Sequence, residues 1–97
     1  MDPQKTSILV LDDEPDIRGE LNEFLTCRDI NVHEAATPSE VFRILKGTPV
    51  DIAILDIRLP EMNGLDVLKK IKQAYPKIQS IIISGHGIIW GDAQREL

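Results

Sequence analysis

Acidic side chains stand directly after two short apolar runs. Ile8-Leu9-Val10-Leu11 leads into Asp12-Asp13-Glu14, and Ile52-Ala53-Ile54-Leu55 leads into Asp56. A further run, Ile81-Ile82-Ile83, leads into Ser84. Runs this short and apolar suit strands buried on both faces, as in a parallel sheet. Such sheets bind ligands in the crevice at the carboxyl ends of their strands. Asp12, Asp13, Asp56 and Ser84 therefore fall where chemistry is expected. If the first and third strands are neighbours, three carboxylates meet there. Carboxylates packed that closely repel, and at least one should have a raised pKa unless a cation is present. Hard oxygen donors with open positions suit Mg²⁺, which takes one or two carboxylates and keeps several waters. Each residue also has an ordinary reading: Asp13 or Glu14 as a helix cap, Asp56 as a turn residue, Ser84 as a solvated hydroxyl.

The elements that must position these strand ends alternate along the chain. Ser7 to Leu11 form the first strand, and Pro15 fits the first position of the helix that follows. Ile17, Leu21, Phe24 and Leu25 recur at helical spacing and predict its apolar face, with Arg18, Glu20, Asn22 and Glu23 on the wet side. Asn31 to Ala35 are a shorter, less apolar strand, expected toward an edge. Thr37-Pro38-Ser39-Glu40 is a capping box. It opens a second helix whose inner face is Val41, Ile44 and Leu45. Gly47 is expected as its left-handed cap, with Thr48-Pro49 preventing continuation. Leu65, Val67, Leu68 and Ile71 stripe a third helix that ends at Tyr75-Pro76. The fourth strand, Ile81 to Ile83, is followed by a Gly85-His86-Gly87 loop expected to be flexible. Asp92 would cap a single helical turn reaching Leu97. The order β-α-β-α-β-α-β predicts right-handed crossovers and an α/β fold with a doubly wound parallel sheet.

Composition narrows the function classes. The 97 residues make one domain, and 42% hydrophobic content is globular. A net charge of −5 with no Lys/Arg cluster argues against a nucleic-acid surface. Lys69, Lys70 and Lys72 read as the solvated face of a helix. No apolar run approaches the ~18–20 residues that span a bilayer, and Met1 to Lys5 carry no signal-peptide pattern. The single Cys27, expected as a partly buried thiol, has no partner for a disulfide. These features together predict a cytoplasmic protein. His33 is expected on a strand surface, and Trp90 in packing rather than nucleic-acid stacking.

Three motifs then stand in register. Ile8-Leu9-Val10-Leu11-Asp12-Asp13-Glu14, Asp56-x-x-Leu59-Pro60-x-Met62-x-Gly64 and Ile83-Ser84-Gly85-His86-Gly87 resemble the receiver domain of two-component response regulators. The Ser-Gly-His-Gly loop is most similar to regulators of the nitrogen-regulation, enhancer-binding type. The resemblance covers residues 7–87 and implies a flavodoxin-like strand order. It implies that Asp56 is the phosphoacceptor, a carboxylate that takes a phosphoryl group from a sensor histidine kinase. Asp13 matches the direct Mg²⁺ ligand and Asp12 its second, often water-mediated, partner. The backbone carbonyl of Arg58 matches the third protein ligand, and Ser84 the switch hydroxyl. Pro60 and Gly64 would shape the loop over the site. Such a module is a regulator that assists only its own phosphorylation and dephosphorylation, not an enzyme acting on separate substrates. A flavin-binding or phosphatase domain of similar topology fits less well. No Gly/Ser/Thr-rich cradle follows the first strand, and Asp56-Ile57-Arg58 lacks a second aspartate.

Residues 88–97 do not continue the resemblance. The expectation is one truncated receiver domain over 1–97, with an atypical tail and without the last strand and helix. The lysine that a fifth strand would carry has no counterpart, so phosphorylation is expected to be slow. The alternative is a phosphorylation-impaired remnant that works as an interaction module. The fourth strand would then be an open apolar edge. This predicts a homodimer through that strand or the C-terminal tail, with Ile88, Ile89 and Trp90 as anchors.

Overall fold

The computed structural model describes residues 5–56, 64–84 and 87–91, and for residues 84 and 87–91 the backbone alone. The elements are β1 (Ser7–Leu11), α1 (Pro15–Thr26), β2 (Asn31–Ala35), α2 (Pro38–Gly47), β3 (Ile52–Asp56), α3 (Gly64–Ala74), β4 (Gln79–Ser84) and β5 (Gly87–Gly91). They build one five-stranded sheet in the order β2-β1-β3-β4-β5. β1 pairs with both β2 and β3, and β3 with β4, all in parallel. The apolar runs thus form the doubly wound parallel sheet that their alternation with helices predicts, and β2 is an edge strand. The position beyond β4, expected to be empty, is filled. Gly87–Gly91 turns back and pairs antiparallel with β4, with a register irregularity at Ile82/Ile83. Two β-branched residues and an aromatic, Ile88-Ile89-Trp90, stand between two glycines and suit a strand, so this segment satisfies the β4 edge locally. The Asp92 cap lies outside the described residues, as does the mobility expected of Gly85 and His86.

Strand parity divides the core into two layers. Leu9, Leu11, Ala53, Leu55 and Ile82 face α2 and α3, where they meet Val41, Leu45, Val67 and Ile71. Ile8 and Val10 face α1 and meet Leu25, with Leu21, Ile52 and Ile54 packed around them. α1 lies over β1 and β2, while α3 lies over β3 and β4 from the opposite side. Among the described residues no helix is long and apolar enough to cross a membrane.

Several local expectations are corrected. Ile17 and Phe24 of α1 are exposed, as is Leu65 of α3. Spacing marks one flank of a helix, but a helix resting on two strands buries only the middle of that flank. Phe24 is instead covered by the Arg28 guanidinium, 3.7 Å from the ring centroid. Cys27 is exposed at the end of α1. Gly47 is the last helical residue, and Thr48 (φ −135°, ψ 126°) leaves the helix by extension. Pro49 accounts for this, because a residue before proline is driven to the β region. The capping box forms with a shift. The Glu40 amide donates to Thr37 Oγ1 at 3.3 Å, and Glu40 Oε1 accepts from the Ala36 amide rather than from that of Thr37.

Candidate functional site

The strand order reverses direction between β1 and β3, and at that point an open α/β sheet leaves its binding crevice. β1 and β3 run in register, Leu11 beside Leu55. The residues that follow are therefore neighbours. Asp12, Asp13 and Asp56 each offer a carboxylate oxygen, and these atoms all lie within 4.8 Å of one another. The convergence expected from the sequence is present. The three differ in setting: Asp12 is 2% exposed, Asp56 half-buried and Asp13 exposed.

Asp12 is the most constrained of them. Its amide donates to the Ala35 carbonyl at 3.1 Å, extending the β1–β2 ladder by one step. Its Oδ1 accepts from the Glu14 amide at 2.9 Å, a local turn that leads into α1. Burial pushes its pKa above the ordinary carboxylate range. The negative charges of Asp56, Asp13 and Glu14 push the same way, and the bond from the Glu14 amide opposes them. A buried acid kept beside two others is costly unless a cation joins them. The donor set is all carboxylate oxygen, the chemistry that Mg²⁺ or a similar hard dication prefers. The residues present fit such an ion.

The other predicted site residues are described only in part. Ser84 ends β4, the neighbour of β3, with its Cα opposite Gly87. Its hydroxyl lies outside the described residues. So do the Arg58 carbonyl, the loop with Pro60, and the side chains of Ile88, Ile89 and Trp90. His33 is half-buried, with Nε2 3.1 Å from Ser7 Oγ at the opposite end of the sheet, away from the acids.

Sequence spacing missed one group. Arg18 and Asn22, assigned to the wet side of α1, reach across to β2. Arg18 Nε donates to Glu34 Oε1 at 2.9 Å, and Asn22 Nδ2 donates to Glu34 Oε2 at 2.6 Å. These bonds hold the Glu34 carboxyl below its usual pKa, that from Asn22 first. Arg18 Nη1 also donates to the backbone carbonyl of Asp12 at 2.8 Å. The signal was available in the register: Glu34 lies beside Val10, at the site end of β1 and under the first turns of α1.

The model of the response regulator receiver domain family matches residues 8–90. The chain belongs to this family. An NtrX-like response regulator of Rickettsia bellii is 44% identical over 84 residues, which cover 84% of this chain and 18% of that protein. The chain thus spans under a fifth of the length of such curated relatives. Among solved structures, NtrX from Brucella abortus, in complex with ADP, is 30% identical with a TM-score of 0.81. That match covers 87% of this chain and 20% of the NtrX chain. The regulator TrrA of Thermotoga maritima, in complex with Mg²⁺ and a beryllium fluoride, is 31% identical with a TM-score of 0.77. It covers 84% of this receiver chain and 72% of TrrA. TrrA is also solved in complex with the histidine kinase ThkA, at 30% identity and a TM-score of 0.78 over 84% of this chain and 71% of that one.

Proposed function

We propose that this receiver is the phosphoacceptor module of a two-component pathway, taking a phosphoryl group on Asp56 from a sensor histidine kinase. The observation that carries the reading is the meeting of Asp12, Asp13 and Asp56 at the switch point of the sheet, each with an oxygen within 4.8 Å of the others. Asp12, Asp13 and Asp56, with the backbone carbonyl of Arg58, would hold Mg²⁺. When bound, the ion neutralises the phosphoryl oxygens and lets several anions share one crevice. An Asp56 oxygen attacks the phosphorus of the phosphohistidine, and a P–O bond forms as the P–N bond breaks. The bonding pair returns to the ring nitrogen, and a solvent proton keeps the ring neutral. Water later breaks the acyl phosphate, restoring the carboxylate and releasing inorganic phosphate. Ser84, on the strand next to Asp56, is the hydroxyl that answers the added charge of about −1.5 to −2. TrrA, which resembles this chain, is solved both with Mg²⁺ and with a histidine kinase, which supports the ion and the partner. The setting that fits is the cytoplasm, with no nucleic acid bound by these residues.

Incubation with acetyl phosphate and MgCl₂, followed by intact-mass measurement, tests the assignment. The expected result is a gain of one phosphoryl mass that EDTA prevents and Asp56→Asn abolishes. Labelling that survives Asp56→Asn would move the acceptor elsewhere.

A second reading, self-association as an interaction module, has one observation in its favour. Ile52, Ile54, Ile81 and Ile83 are only half-buried. Ile52 and Ile54 lie at the margin of the layer that Leu25 of α1 covers, and β4 has no comparable contact with α1 among the described residues. Light scattering across a concentration series tests it.

A further inference from the structure

We propose that Arg18 is a positioning residue for the acidic site, fixing the peptide plane that joins Asp12 to Asp13 and so the approach of both carboxylates to a shared cation. The inference rests on the Mg²⁺-dependent reading above and adds a residue that the motifs do not contain. Its basis is a chain of hydrogen bonds. Thr26 Oγ1 donates to Asn22 Oδ1 at 2.7 Å, which orients the Asn22 amide. Asn22 Nδ2 and Arg18 Nε then occupy the two oxygens of Glu34. Held in that fork, the guanidinium turns Nη1 onto the Asp12 carbonyl at 2.8 Å.

The consequence for the site is geometrical. The Asp12 amide is already tied to Ala35 of β2. With its carbonyl tied to α1, both main-chain groups of Asp12 are fixed, and the Asp12–Asp13 peptide cannot rotate without breaking a charge-assisted bond. The two Cα atoms that carry these carboxylates lie at the two ends of that planar peptide, so fixing it limits how both side chains set out. The guanidinium charge does not act directly, because it is spent on Glu34 at 2.9 Å. The Arg18 side chain is 18% exposed and that of Glu34 33%, so it is the hydrogen bonds to Glu34 and to the Asp12 carbonyl, rather than burial, that hold the guanidinium in one geometry. Lysine cannot replace it: a single ammonium does not present donors to Glu34 and to the carbonyl in the fixed planar arrangement of a guanidinium.

Calorimetric titration of the chain with MgCl₂ at neutral pH, alongside thermal unfolding, tests this for wild type, Arg18→Ala, Arg18→Lys and Asp13→Asn. Groups that orient the ligands of a metal change affinity by roughly 10–100-fold when removed. Arg18→Ala is expected to weaken Mg²⁺ binding about tenfold, measured well below its melting temperature. Arg18→Lys, with the charge kept, should melt near wild type and still bind several-fold more weakly. A merely structural role would move the melting temperature and leave the affinity alone. Arg18→Ala within about twofold of wild type, while Asp13→Asn loses binding, overturns the positioning role and leaves the receiver reading intact. Should Arg18→Ala not fold, Arg18→Lys at wild-type affinity overturns it equally. If wild type and Asp13→Asn bind Mg²⁺ alike, the metal reading itself fails and this inference fails with it.

Discussion

Asp12 is held where its own charge is unwelcome. It is buried, it faces two other acids, and its pKa is raised. The sign of the effect on stability follows from proton linkage. Between its unfolded pKa near 3.8 and its higher folded value, the native state binds more protons than the unfolded chain. Stability from this group is therefore fully present below pH 3.8 and is lost as pH rises through the folded pKa. Above that folded pKa, without a cation, the ionised Asp12 opposes folding. Asp12→Asn removes the charge and keeps an oxygen for the Glu14 amide, so it should raise the melting temperature at pH 7 in EDTA. The gain should vanish in saturating Mg²⁺, which stabilises wild type by binding. Melting curves with and without the ion check both arms, and an unchanged or lower melting temperature for Asp12→Asn in EDTA contradicts the argument. The three acids were legible in the sequence because each ends an apolar run, and strand ends are where a parallel sheet puts its chemistry. Arg18 and Glu34 were not, because each looks like an ordinary surface charge. Only the β1–β2 register and the position of α1 bring them together behind Asp12.

Elements in this fold came through the sequence better than their boundaries and faces. Proline at the first position of α1 and α2, the capping box, and the unbroken runs of β1 and β3 each state a local rule that the structure keeps. Faces needed tertiary knowledge: Ile17, Leu21, Phe24 and Leu25 share one flank, yet of these four only Leu25 is buried. α1 also carries a weakness of its own. Gly19 lies inside the helix, exposed, and a Cβ built there meets nothing within 4 Å. Glycine in a helix interior costs about 1 kcal/mol relative to alanine, through backbone entropy. Gly19→Ala should stabilise the domain by roughly that amount, raising its melting temperature by about 4–8 °C for a chain of this size. Chemical denaturation at fixed pH measures it. A loss of stability would contradict the open space around Gly19 and this argument with it.

Among the described residues the sheet is unevenly covered. α2 and α3 close one face, whereas on the other α1 lies over β1 and β2 and its cluster extends only as far as Ile52 and Ile54 of β3. The expected weak point was the edge of β4, and β5 occupies it. The new edge is short, begins and ends in glycine, and follows a register irregularity, features that blunt strand-to-strand pairing. Association through the β5 edge is therefore disfavoured, and the half-covered isoleucines 52, 54, 81 and 83 are the better route on that side of the sheet. Their contribution is bounded by size. A stable specific interface buries roughly 800 Å² on each partner, far more than four partly covered side chains expose. Burial of apolar surface at about 25 cal/mol per Å² must also offset at least 4 kcal/mol of lost freedom on association. The chain should thus be monomeric at micromolar concentration and self-associate only toward the millimolar range, where the free energy needed is about 4 kcal/mol. Ile81→Thr, which keeps a β-branched residue in β4 while making that face more polar, should shift the association to higher concentration. Static light scattering on both proteins decides it: a tight dimer at micromolar concentration, undisturbed by Ile81→Thr, would place the contact elsewhere than on this face.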